Sequence, residues 1–129
     1  MIVEYKDITE KIIKCAYRVY NKMGFGFLES VYEKCMLIEL VKEGLQAKEQ
    51  DPITVYYENE VVGNFIADLI VNDAVIVELK SVRQIAKAHE VQLVNYLMAI
   101  GKSIGLLLNF GETKLEVKRK VRELKVRQD

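Results

Sequence analysis

The 129-residue chain is one domain's length, and half of its residues are hydrophobic, enough to build a buried core. Charged residues make up 29% and cancel to a formal net charge of zero, which excludes a disordered chain and a protein drawn to nucleic acid by overall charge. Cys15 and Cys35 have no metal-ligand spacing and read as free thiols, no apolar run reaches the ~18 residues of a membrane span, and the start lacks a signal peptide's apolar core, so a cytoplasmic protein without a membrane partner is expected.

In chain order, "DITEKIIKCAYRVYNKMG" predicts a first helix, with Asp7 as its cap, Glu10 completing a capping box, and Gly24 and Gly26 ending it. "FLESVYEKCMLIELVKEG" predicts a second, closed by Gly44. The period then changes. "LQAKEQ" and "ITVYYEN" read as strands split by Pro52, the only proline. "EVVGNFIADLIV" and "AVIVELKS" follow as a hairpin turned at Asn72-Asp73. A third helix runs from about Ala86 to Ile100 and stops at Gly101. "SIGLLLNF" is apolar on both faces and predicts a central strand. "KLEVKRKVRELKVRQD" begins as an alternating strand and finishes as a basic tail. The order predicts a mixed α/β fold around one central sheet flanked by helices, as a single domain over residues 1–129.

Charged residues inside the apolar strands carry the chemistry. Acid-x-lysine occurs at Glu4, Glu78, Glu112, Glu116 and Glu123, but only Glu78-Leu79-Lys80 ends a continuous apolar strand. Period-2 geometry puts Glu78 and Lys80 on one face. Asp68 lies on the preceding strand. A two-residue turn would set it opposite Val77; a three-residue turn, Asn72 to Ala74, or a β-bulge would bring it opposite Glu78. Two adjacent carboxylates repel unless one is protonated or a cation lies between them. Oxygen donors without a Cys or His cluster favour Mg²⁺ or Mn²⁺ over zinc, with Lys80 placed to orient or deprotonate water and neutralise phosphate charge. The same residues would also make a salt bridge at a strand end.

On the third helix, His89, Gln92 and Tyr96 form a stripe beside an apolar face of Leu93, Val94, Leu97 and Met98. The stripe is either a polar helix edge or a wall of the carboxylate site. In the second case Gln92 contacts the scissile nucleotide or Lys80, Tyr96 contacts phosphate, and His89 serves in packing or hydrogen bonding. Glu29, in "GFGFLESVYE", suits the helix dipole or joins a metal shell.

Asp68, Glu78-Leu79-Lys80 and Gln92-x-x-x-Tyr96 together resemble the PD-(D/E)XK nuclease superfamily. The Gln-x-x-x-Tyr element is similar to its RecB-like branch. The blocks "GFGFLESVYE", "VYYENEVVGNFIADLIV", "VIVELKSV", "HEVQLVNYL" and "GLLLNFG" resemble a small stand-alone family labelled GxxExxxxY, over about Ile8 to Arg119. The resemblance implies a restriction-endonuclease-like α-β-β-β-α-β core with a divalent metal at the sheet. It implies Asp68 and Glu78 as metal ligands, Lys80 as the catalytic lysine, Glu29 as the acid of the N-terminal helix, and Gln92 and Tyr96 as an accessory pair. Ala67 stands where the superfamily's name has proline, and Tyr32, three residues after Glu29, has no assigned role.

The expectation is therefore a Mg²⁺-dependent nuclease acting on DNA ahead of RNA, by a metal-activated water. The alternatives are a non-cleaving module that binds nucleic acid or a protein, and a structural homodimer built on an exposed sheet edge or helix face. Lys114, Lys118, Arg119, Lys120, Arg122, Lys125 and Arg127 are the only basic cluster for phosphate, and they also read as a solvated tail. No element for reading base sequence is visible.

Overall fold

The computed structural model describes residues 5–122. Its elements are α1 (Lys6–Met23), α2 (Glu29–Lys42), β1 (Ala47–Tyr57), β2 (Glu60–Val71), β3 (Val75–Lys80), α3 (Lys87–Ile100), β4 (Ile104–Phe110) and β5 (Leu115–Val121). The five strands form one sheet in chain order. Every neighbouring pair is antiparallel except β3–β4, which is parallel because α3 carries the chain back between them. Helices α1 and α2 cover one face, where Ile12, Tyr32 and Met36 meet Leu69, Val77 and Phe110. Helix α3 covers the other, setting Leu93, Tyr96 and Leu97 on Ile53, Ala67, Ile76 and Leu107. Strands β3 and β4 are covered on both sides, which is why their sequences show no alternation.

Several boundaries differ from expectation for identifiable reasons. Pro52 does not split a strand: β1 runs through it, paired Pro52 with Ile66, because β1 is an edge strand and an edge can turn a nitrogen without hydrogen to the open side. Asp7 does not cap α1; it lies in the first turn and pairs with Lys11 instead. Met98 is exposed, since the buried face of α3 is centred on Leu93, Tyr96 and Leu97. Lys118, Arg119 and Lys120 are strand residues of β5 rather than tail, while Lys125 and Arg127 lie outside the described residues.

Gly105 in β4 fixes the approach of α3. A Cβ there would stand 2.7 Å from Leu93 Cδ1, so the helix rests almost on the strand backbone. Gly105→Ala is expected to destabilise the fold by about 1–3 kcal/mol in urea unfolding. In a double-mutant cycle with Leu93→Ala, part of that loss returns if the clash is its cause.

Candidate active site

The register of the β2–β3 hairpin decides whether the carboxylates meet. Leu69 pairs with Val77, Ile70 with Ile76 and Val71 with Val75, which leaves Asn72, Asp73 and Ala74 as a three-residue turn. Asn72 and Asp73 take left-handed backbone, and Lys102 grips Asp73 through its carbonyl and carboxylate. Continued by one step, this register sets Asp68 opposite Glu78, the three-residue alternative of the two open in the sequence. There the ordinary ladder ends. The Asp68 N–H donates to Glu78 Oε2 at 2.9 Å, and the Leu79 N–H donates to Asp68 Oδ2 at 2.8 Å. Each acid thus caps the backbone of the other strand, and its second oxygen is left for another partner.

A second irregularity lies across β2. Ala67 and Ile70 both pack on the α3 side although they are three positions apart, so the alternation of β2 breaks around Asp68. Facing this break on β1 is Gln50, with a left-handed φ of 54° between the paired residues Glu49 and Asp51. A non-glycine residue in that region inside a strand stores backbone strain, here beside the acidic pair.

The electrostatics follow from burial. Glu78 is only 5% exposed, and desolvation, reinforced by the Asp68 charge, pushes its pKa up to about 8. The Asp68 amide and Lys80 pull it down, Glu29 pushes it up, and desolvation prevails. Asp68 is also raised, by burial first, against the pull of the Leu79 amide and Lys80. Tyr96, at 8% exposure, is raised by burial and then by the charges of Glu78 and Asp68, which puts its phenol in the field of the acids.

Asp68, Glu78, Lys80, Glu29 and Tyr96 therefore act on one electrostatic locality. Glu29 opens α2 and is exposed; the Ser81 hydroxyl ties its loop to the end of β3 by donating to the Phe27 carbonyl at 2.7 Å. Gln92 is one turn before Tyr96 and lines a groove with it and Phe65. His89 is not in the site: its Nδ1 accepts the Ala86 N–H and starts α3. Tyr32 gains a role. Stacked on Phe110 with centroids 4.3 Å apart, it donates to the Gly24 carbonyl and accepts the Phe27 N–H, holding the glycine loop that leads to Glu29.

Two groups escaped the sequence reading. Glu33 is buried, and burial together with its hydrogen bond to Glu49 pushes its pKa up to about 7; Gln50 donates to it at 2.9 Å. Its place four residues after Glu29, on the same helix face, was the available signal. A cavity of about 580 Å³ joins Glu29, Glu33, Glu49 and Asp68, with Lys34 held 2.8 Å from Glu49. Asn109, fully buried and paired with Lys80 across the β3–β4 ladder, is the other. It clamps Val82 through both amide atoms and donates to Glu116, which in turn accepts the Ile85 N–H. The loop between Lys80 and α3 is thereby fixed at both ends. Nothing in "GLLLNFG" distinguishes such an amide from an ordinary strand-end asparagine.

Among the described residues no three His, Cys, Asp or Glu groups gather closely enough to hold a metal by themselves. The pair nevertheless fits a Mg²⁺-type ion, which binds through one or two carboxylates and completes its shell with water and substrate phosphate. The donors are hard oxygens, and each carboxylate is oriented by a backbone amide.

A mixed five-stranded sheet flanked by helices, opening over an acidic pair with a lysine two residues beyond the second acid, defines a restriction-endonuclease-like α/β protein. A family model of the PD-(D/E)XK nuclease superfamily matches residues 6–120, and the chain belongs to that superfamily. No curated protein matches it. Among solved structures it is similar to SSO0001, with a TM-score of 0.56 and 14% identity over 95% of this chain, a likeness of fold alone. This chain spans 62% of that protein's length.

Glu78 and Glu33 keep their protons to higher pH in the folded chain than the ordinary glutamate value of 4.5. The folded state then binds more protons than the unfolded one from about pH 4.5 to 8, so stability falls as pH rises through that window. Thermal melting in EDTA should show this fall, and Glu78→Gln should leave only the part below about pH 7 that Glu33 contributes. Mg²⁺ or Mn²⁺ should raise the melting temperature of the wild type at pH 8 and leave Glu78→Gln unmoved; equal stabilisation of both would place the ion elsewhere.

Proposed function

We propose that the protein is a Mg²⁺-dependent nuclease that hydrolyses phosphodiester bonds through a metal-activated water, with DNA as substrate ahead of RNA and Mn²⁺ able to substitute. The observation that carries this reading is the burial of Glu78 against Asp68, with Lys80 beside them. Two carboxylates raised in pKa at the open end of a hairpin are poorly placed as anions until a dication joins them. When bound, the ion supplies Lewis acidity to the phosphate and lowers the pKa of a water.

The chain's own groups then have distinct tasks. Asp68 and Glu78 would hold the ion, each carboxylate oriented by the backbone amide it accepts. Lys80, half-exposed at the end of β3, orients the attacking water and offsets the charge that grows on phosphate. Glu29 accepts from water at the rim. The Tyr96 phenol, in the field of the acids, donates to a phosphate oxygen, and Gln92, one turn away on the same helix, positions the adjoining nucleotide, as in a RecB-like site. Asn109 is a positioning residue, since it sets the backbone that leads from Lys80 to α3.

Residues 1–129 form the proposed catalytic domain. The free thiols of Cys15 and Cys35 suit the reducing cytoplasm. Among the described residues no helix is long and apolar enough to cross a membrane.

Purified protein should cleave labelled DNA with Mg²⁺ or Mn²⁺ and not with EDTA. Glu78→Gln and Lys80→Ala should each lower the rate by about 10²–10⁴-fold. Cleavage that both variants retain would come from a contaminant. Tight binding of DNA without cleavage in either ion would replace this reading with that of a non-cleaving module.

A further inference from the structure

The carboxylates have two unlike neighbours. One side is the acidic cavity described above. On the other a groove of about 820 Å³ opens between α3 and the β1–β2 hairpin, and no carboxylate lines it. Its volume falls within the ~300–1,000 Å³ of ordinary ligand pockets. Its wall is aromatic: Tyr56 is 62% exposed, Phe65 45%, and Phe65 stands 5.6 Å from Tyr96. Its polar groups are the side-chain amides of Gln92 and Asn95, with Lys87 at the entrance of α3.

We propose that this groove is a subsite for unpaired nucleobases, so that the substrate strand enters single-stranded or as a frayed end. The inference rests on the nuclease reading and specifies its substrate. Continuity with the acids is the first ground. Tyr96 lines the groove, shares the α3-side core with Ala67, the residue before Asp68, and has its ring 5.6 Å from that of Phe65 on the same strand, so a strand whose phosphate lies at the acids has its neighbouring bases beside Tyr96 and Phe65. The lining is the second. Aromatic faces stack any base, and carboxamides offer both a donor and an acceptor to base edges. The third is where positive charge goes. A duplex presents two phosphate strands and is gripped by clustered Lys and Arg. The cationic residues of β5 lie at the far sheet edge from β1, where Lys120 pairs with Glu90 and Arg119 contacts Thr9. A second copy of the chain is the competing occupant, and the light-scattering measurement below tests it.

The test is fluorescence anisotropy in EDTA, where nothing is cut, with three probes of equal length: an oligothymidine strand, a duplex, and an abasic sugar–phosphate strand. The wild type should bind the oligothymidine tightest. Tyr56→Ser and Phe65→Leu should each weaken it by about tenfold and leave the abasic strand unchanged. Tyr56 is exposed enough for its variant to fold whatever Phe65→Leu does, and Val41→Ser on α2, away from the groove, should bind as wild type. Unchanged oligothymidine binding in Tyr56→Ser, or a preference for the duplex, would overturn the proposal. So would light scattering that shows a dimer which Tyr56→Ser dissociates without loss of base-dependent binding. The nuclease reading fails separately: base-dependent binding lost in Tyr56→Ser, with no cleavage in any metal, supports the groove and defeats the enzyme, whereas duplex cleavage indifferent to Tyr56 does the reverse.

Discussion

The reciprocal clasp between Asp68 and Glu78 governs the rest of the molecule. Beyond Leu69–Val77 the hairpin is held by carboxylates that take the place of carbonyls, at 2.9 and 2.8 Å from the amides they cap. The two bonds satisfy amides that the ladder leaves unpaired, and each strengthens when the carboxyl group that accepts it ionises. They hold both acids at the mouth of the hairpin in a fixed orientation, with little water around Glu78. Burial that keeps Glu78 protonated to about pH 8 is the counterpart of affinity for a cation. The surrounding architecture supports this geometry: the turn at Asn72–Ala74 sets the register, Asn109 holds the chain after Lys80, and Tyr32 and Ser81 fix the loop before Glu29.

Much of this was legible because the signals are local. Helical spacing, the closing glycines and the change to β-prone runs give the element order. The apolar character of "AVIVELK" and "SIGLLLNF" marks strands covered on both faces. The acids stood out because a buried strand has no ordinary use for them. Hairpin register was the limit: two- and three-residue turns at Asn72-Asp73 lead to opposite faces, and side-chain pattern alone does not choose between them. Pro52 misled because its effect depends on whether a strand is at an edge, a property of the whole sheet. Glu33 and Asn109 were missed because their partners, Gln50 and Val82, are distant in sequence. The basic residues of β5 looked like a tail because composition outweighed a short alternation.

The superfamily membership and the site's electrostatics point the same way without depending on each other. One follows from residues 6–120 taken together. The other follows from burial, two hydrogen bonds and a lysine. The molecule is also strongly polarised across the pair, with Glu29, Glu33 and Glu49 on one side and Tyr56, Phe65 and Tyr96 on the other. A neutral overall charge conceals this arrangement, in which the acidic side suits a cation and water and the aromatic side suits planar apolar groups.

Anomalous diffraction from a crystal soaked in Mn²⁺ at pH 8 reads whether the Asp68–Glu78 pair takes up a dication. One strong peak is expected within coordination distance of one oxygen from Asp68 and one from Glu78, with both amide bonds of the clasp intact. A crystal that binds Mn²⁺ only elsewhere, leaving the two carboxyls to share a proton, would contradict it.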